Sequence, residues 1–103
     1  MVQEITNKNF KSFIENEELT IVKVGAEWCG PCKMVKPILE KESEEGDILI
    51  GSIDADSSSE LAKELGVRSI PTTFFYKNGE QVGSHTGAFG SPQLKQMIEK
   101  FNK

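Results

Sequence analysis

The stretch Ile21-Val22-Lys23-Val24-Gly25-Ala26-Glu27-Trp28-Cys29-Gly30-Pro31-Cys32-Lys33-Met34 holds both cysteines of this 103-residue chain. Its first half continues a β-branched run, Leu19 to Gly25, that reads as a buried strand broken by one charge, Lys23. Its second half reads as a helix start, because Pro31 lacks an N–H that the first turn leaves unpaired anyway. Positions three apart share a helix face, so the sulfurs of Cys29 and Cys32 can meet. Cys29 then stands where strand hands over to helix, and the unpaired N–H groups and positive dipole end there favour thiolate over thiol. The thiolate is the form that attacks a disulfide, and a second thiol resolves the mixed disulfide that results. Cys29 is therefore the expected nucleophile and Cys32, one turn deeper, the expected resolving thiol. Gly30 leaves room for a partner's backbone. Two other readings stay open here. The pair could be half of a zinc site, although only His85 remains to complete it. It could also be two inert buried cysteines.

Working outward, two cysteines are too few for a secreted disulfide scaffold, and a lone close pair in a reducing compartment points to catalysis. The net charge of −4, with acidic and basic residues interspersed, argues against a nucleic-acid-binding face, which needs clustered cations. No apolar run approaches the roughly 20 residues of a membrane span. The start, Met1-Val2-Gln3-Glu4, lacks the basic and apolar regions of a signal peptide, so a cytoplasmic location is expected. With no linker, repeat or low-complexity tract, residues 1–103 read as one domain.

The remaining elements follow from periodicity and turn chemistry. Val2 to Ile5 suggests a short strand, and Asn7 offers a cap for a helix carrying Phe10, Phe13 and Ile14. Met34, Val35, Ile38, Leu39 and Glu42 recur at helical spacing, with Pro37 expected to kink the helix rather than end it. Ile48 to Ile53 is a second buried-strand run. Ser57-Ser58-Ser59-Glu60 offers a capping box for a short helix that Gly66 ends. Thr72 to Tyr76, the turn Asn78-Gly79 and the return strand Gln81 to His85 read as a hairpin. Ser91-Pro92 opens a last helix with the stripe Leu94, Met97, Ile98 and Phe101. This order predicts an α/β fold. Its centre is a mixed sheet of about five strands flanked on both faces by about four helices, with parallel pairing where helices intervene and a hairpin at one edge.

Several segments together resemble the thioredoxin family. Ala26-Glu27-Trp28-Cys29-Gly30-Pro31-Cys32-Lys33-Met34, followed by Pro37, is similar to that family's active-site segment. Ser69-Ile70-Pro71-Thr72 resembles its loop with a cis-proline opposite the dithiol, and Lys77-Asn78-Gly79-Glu80 and Thr86-Gly87-Ala88 resemble its hairpin and the segment beside the active site. The resemblance runs in order along essentially the whole chain. It implies a thioredoxin fold and a monomeric protein disulfide reductase that carries electrons on its dithiol, needs no cofactor of its own and cycles through a Cys29–Cys32 disulfide. It implies a thioredoxin reductase, usually flavin- and NADPH-dependent, as electron donor and disulfide-containing proteins as substrates. The implied substrate groove comprises Trp28, Gly30, Pro31, Ile70, Pro71, Gly87 and Ala88. The residues alone would allow Pro71 to be an ordinary trans turn proline; the resemblance implies cis, with backbone groups free for strand-like pairing. Gly30-Pro31 between the cysteines goes, in the family, with reductases rather than oxidases or isomerases.

Lys23 departs from the family, which usually carries a buried Asp there, thought to relay a proton to the resolving cysteine. The family's partner Lys corresponds to Ile50, so that ion pair is absent. Gly25 stands where a second aromatic is common. Lys23 could bend through the space so created to reach water. Alternatively it stays near Cys32, either stabilising that thiolate and raising the potential or, with its own pKa lowered, accepting the proton. Glu27 is a further candidate relay through water. Met34 and Met97 are expected in the core, His85 at the surface with substrate contact possible, Glu40 to Glu45 on a solvated face, and Asp54 at a strand's end. Two rival functions remain: a binding module in a larger complex with an incidental dithiol, and a more oxidising oxidase or isomerase.

Overall fold

The computed structural model describes residues 1–46 and 48–102. Among these the chain forms, in order, β1 (Gln3–Glu4), α1 (Phe10–Ile14), β2 (Thr20–Gly25), α2 (Gly30–Glu45) and β3 (Leu49–Asp54). Then come α3 (Ser59–Glu64), β4 (Thr72–Lys77), β5 (Glu80–Thr86) and α4 (Ser91–Phe101). The strands make one mixed sheet in the order β1-β3-β2-β4-β5. Strand alternation sorts its side chains. Val22, Val24, Phe74 and Tyr76 pack with Phe13 and Ile14 of α1 and with Leu61 and Ala62 of α3. Ile21, Ile50 and Phe75 pack with Val35 and Leu39 of α2 and Leu94 of α4. The expected α/β sheet with helices on both faces is what the chain builds.

One pairing differs from expectation. β3 runs parallel to both β1 and β2, but β4 lies antiparallel to β2 although a helix precedes it. Returning the chain for a parallel strand would mean retracing the full sheet height, about 20 Å for six residues. The six residues of α3 rise only about 9 Å, so the chain re-enters from the same end. The start of β4, just after Pro71, thereby sits next to the C-terminal end of β2, from which the cysteines depart.

Local expectations hold where the signal is backbone chemistry. Asn78 and Gly79 have φ of 56° and 82°, the left-handed pair a two-residue hairpin turn requires. Gly66, at φ 76°, follows the end of α3. α2 runs unbroken through Pro37. Three details are corrected. Asn7 does not cap α1. The helix begins after Asn9, whose Oδ1 accepts the Thr6 N–H at 2.7 Å and whose Nδ2 donates to Glu4 O at 3.1 Å, tying the helix start to β1. The capping box at Ser57 to Glu60 does not form, because Asp54 Oδ1 takes the Asp56 and Ser57 N–H groups at 2.8 and 3.4 Å. Met34 is 65 % exposed rather than core; its neighbour Val35 holds the buried stripe, and successive helical positions point about 100° apart. Met97 packs partly against the core as expected.

Candidate active site

The apolar β2 delivers the chain to the sheet's upper edge, and Ala26-Glu27-Trp28 turns it into α2. Cys29 is the N-cap of that helix, with extended φ and ψ of −86° and 115°. Its Sγ accepts the Cys32 N–H at 3.3 Å, the contact expected of a sulfur placed over unpaired first-turn donors. The two cysteines are joined in a disulfide with Cα atoms 5.3 Å apart. Ala26, Cys29 and Cys32 form a small apolar cluster against which Ile70 packs. Cys29 is 6 % exposed and Cys32 2 %, so both are buried, Cys29 the slightly more open of the two. Reduced, Cys29 has the environment that stabilises thiolate, a backbone donor and the helix N-terminus.

Around this pair three segments converge. The Ile70-Pro71 peptide bond is cis, as the resemblance implied, and Ile70 O lies 3.8 Å from Cys29 Sγ. The disulfide sulfur has no proton, so this is a contact that turns into a donor only in the thiol. Gly87, at φ 101°, donates its N–H to Pro71 O at 2.8 Å, which brings the turn after β5 alongside. Gly30, Pro31 and Ala88 are exposed at the rim, and the Trp28 ring, 69 % exposed, stands at one side. The residues named from the sequence thus gather in one place. One was missed: Asp56, whose Oδ2 accepts the Trp28 Nε1–H at 2.8 Å across 28 positions. The available signal was topological, since the parallel pairing of β2 with β3 sets Gly25 beside Asp54 and so brings the loops that follow together. Asp54 itself stays local, holding that loop by its backbone. Glu27 is exposed.

Beneath the dithiol, Lys23 is 8 % exposed on a central strand, paired in register with Ser52 on one side and Thr73 on the other. Its stem crosses the space over Gly25. A Cβ at that glycine would lie 3.6 Å from Lys23 Cε and 3.0 Å from Cys32 Sγ, so both atoms border one gap. The stem thus takes the Gly25 space, and that same space borders Cys32. The gap opens into a cavity of about 720 Å³ shared with Lys36, Glu40 and Asp54. Burial lowers the Lys23 pKa from 10.5; Lys36 adds to that, and Glu40 and Asp54 oppose it. Among the described residues the only ion pair within 4 Å is Lys95–Glu42, so Lys23 has no carboxylate at contact distance. No helix among them is long and apolar enough to cross a membrane.

Comparison with known proteins agrees with this geometry. A family model described as thioredoxin matches residues 1–100. The thioredoxin of Chlamydia caviae is 39% identical over 101 residues, covering 97% of this chain and 98% of that protein. The chloroplastic M-type thioredoxin of Spinacia oleracea is 36% identical over 103 residues; the match covers 97% of this chain but only 57% of the spinach protein. Among solved structures, a Malassezia sympodialis thioredoxin superposes with a TM-score of 0.88 at 34% identity, covering all of this chain and 92% of that one. A mutant thioredoxin from Halobacterium salinarum gives 0.90 at 29% identity, covering 98% and 90%. With a dithiol pair at a helix N-terminus, the fold around it and these relatives, the chain belongs to the thioredoxin family and is a thiol-disulfide oxidoreductase.

Proposed function

We propose that the protein is a cytoplasmic, monomeric electron carrier, one domain over residues 1–103, that reduces disulfides of other proteins. The Cys29 thiolate attacks a substrate disulfide; a Cys29–substrate S–S bond forms and the substrate's other sulfur leaves as thiolate. Cys32, losing its proton, attacks Cys29 Sγ, releases the second substrate thiolate and closes the Cys29–Cys32 disulfide. Two electrons pass to substrate, and a thioredoxin reductase returns them. Substrate would lie in an extended form against Trp28, Gly30, Pro31, Ile70, Pro71, Gly87 and Ala88. The observation that carries this reading is the placement of the pair: Cys29 is the N-cap of α2 with its Sγ over a backbone donor, and Cys32 follows, buried, in the first turn.

Gly30 and Pro31 set a reductase-type loop, and Lys23 below them is the candidate tuner of its potential. The Lys23 stem borders the same gap as Cys32 Sγ, and this favours a more oxidising carrier as the second reading, because a charged lysine there stabilises thiolate and hence the reduced state. The test is the equilibrium potential against glutathione for wild type and Lys23→Asp. A general reference value for the family is about −270 mV. A wild-type value near it supports the reductase and leaves Lys23 little thermodynamic effect. A value tens of millivolts higher, falling in Lys23→Asp, supports the oxidising variant. Retained biological function in a Cys29→Ser, Cys32→Ser double variant would sink both in favour of a binding module.

A further inference from the structure

The turn after β5 carries Gly87 and Ala88 past Pro71, and three contacts hold its course. Gly87 N–H is bonded to Pro71 O. Phe89, 6 % exposed, anchors the far end in the same core cluster as Leu94. The third contact comes from the chain's one histidine. His85 Nε2 lies 3.3 Å from Ala88 O, and the imidazole meets the Phe89 ring edge-on with centroids 5.8 Å apart. A carbonyl oxygen only accepts, so Nε2 carries the proton in this contact, as the Nε2–H tautomer or the imidazolium. The tether spans Gly87, whose φ of 101° marks a residue with no side chain to restrict rotation. Without it, the Gly87–Ala88 segment would be held at its far end by the Phe89 side chain alone, which leaves the Ala88 peptide freer to rotate.

We infer that His85 is a positioning residue for the binding of protein disulfides. By holding Ala88 O it fixes the orientation of the Gly87–Ala88 wall against which an extended polypeptide lies. The inference rests on the proposed reading of Gly87 and Ala88 as groove residues. His85 acts through the loop rather than on the sulfurs, so its effect belongs to substrates long enough to touch the wall. A small disulfide that meets Cys29 alone is insensitive to it.

The test compares insulin, as a protein disulfide, with hydroxyethyl disulfide in wild type, His85→Ala, His85→Gln and Ala88→Glu. The loss of one neutral hydrogen bond corresponds to roughly a threefold to tenfold effect. His85→Ala should raise the insulin KM by that factor, with kcat and the rate with hydroxyethyl disulfide changing less than about twofold. His85→Gln, whose amide nitrogen can occupy the Nε2 position, should recover most of the loss. The inference is overturned if the insulin KM of His85→Ala is unchanged, if both disulfides slow equally, or if Gln fails to rescue. Ala88→Glu probes the groove itself. If it leaves the insulin KM unchanged, the groove reading fails and takes this inference with it; if it raises KM while His85→Ala does not, only the role of His85 falls.

Discussion

A lysine in the middle of a central strand is an expense to the fold that its neighbours only partly offset. Lys23 gives up hydration on one face of β2, with Lys36 close enough to repel it and no carboxylate at contact distance among the described residues. The absence of a Cβ at Gly25 lets the long stem lie over the strand instead of pushing α2 away. A methionine fills similar volume without a charge to desolvate. Lys23→Met should therefore raise unfolding stability near neutral pH by about 1–2 kcal/mol, within the range for burying polar groups. Urea denaturation of both proteins in the oxidised state measures this. An unchanged or lower midpoint would mean that the ammonium is already well solvated through the cavity. The sequence exposed the oddity of this residue, a charge in a strand of Ile and Val, but not its course. That course depends on what a glycine two positions on leaves vacant.

At the scale of elements, the close packing of α4 on the sheet edge turns on one missing side chain. Gly83 of β5 faces Phe101, and a Cβ there would overlap the ring, which also meets Phe75 with centroids 4.8 Å apart. Gly83→Ala forces the aromatic off its seat and should cost about 1–3 kcal/mol, the usual range for overpacking. In a Phe101→Ala background the same change should cost well under half as much, because the obstacle is gone. A double-mutant cycle in urea reads this coupling, and strict additivity would place the strain elsewhere. The elements themselves were legible in the chain wherever their cause is local: the Asn78-Gly79 turn, the Ser91-Pro92 helix start, the apolar runs of β2 and β3. What escaped was set by distant partners. The antiparallel β2–β4 pairing follows from how short α3 is. The Trp28–Asp56 contact depends on which loops the sheet order brings together. The redox pair was readable because redox chemistry concentrates its demands in five consecutive positions, whereas Ile70, Pro71, Gly87 and Ala88, in separate segments, were named only through the resemblance.

Across the whole molecule, two buried groups on opposite faces of the sheet act in opposition as the medium turns alkaline. Tyr76 is 4 % exposed, its hydroxyl has no hydrogen-bond partner among the described residues, and burial raises its pKa from 10.0 to about 12. In the unfolded chain it ionises near 10, so between about pH 10 and 12 the unfolded state holds fewer protons than the native one. Stability then falls as pH rises, by roughly 3 kcal/mol once the window is crossed. Lys23 has the reverse sign: its folded pKa lies below 10.5, so the unfolded chain binds more protons. Its burial weighs most against the fold at lower pH, and stability is regained as pH climbs towards 10.5. Wild type should therefore gain stability on the alkaline side up to about pH 10 and lose it beyond. Two variants separate the contributions. Tyr76→Phe should remove most of the loss above about pH 10 and, by deleting a buried hydroxyl that bonds nothing among the described residues, should not weaken the fold at neutral pH. Lys23→Met should abolish the rise and leave the fall. Urea midpoints taken from neutral pH to about pH 11 on the three proteins measure both limbs. A wild-type profile that declines steadily through the range would show that the Lys23 charge is carried at no cost, and an undiminished fall in Tyr76→Phe would assign the alkaline limb to other groups.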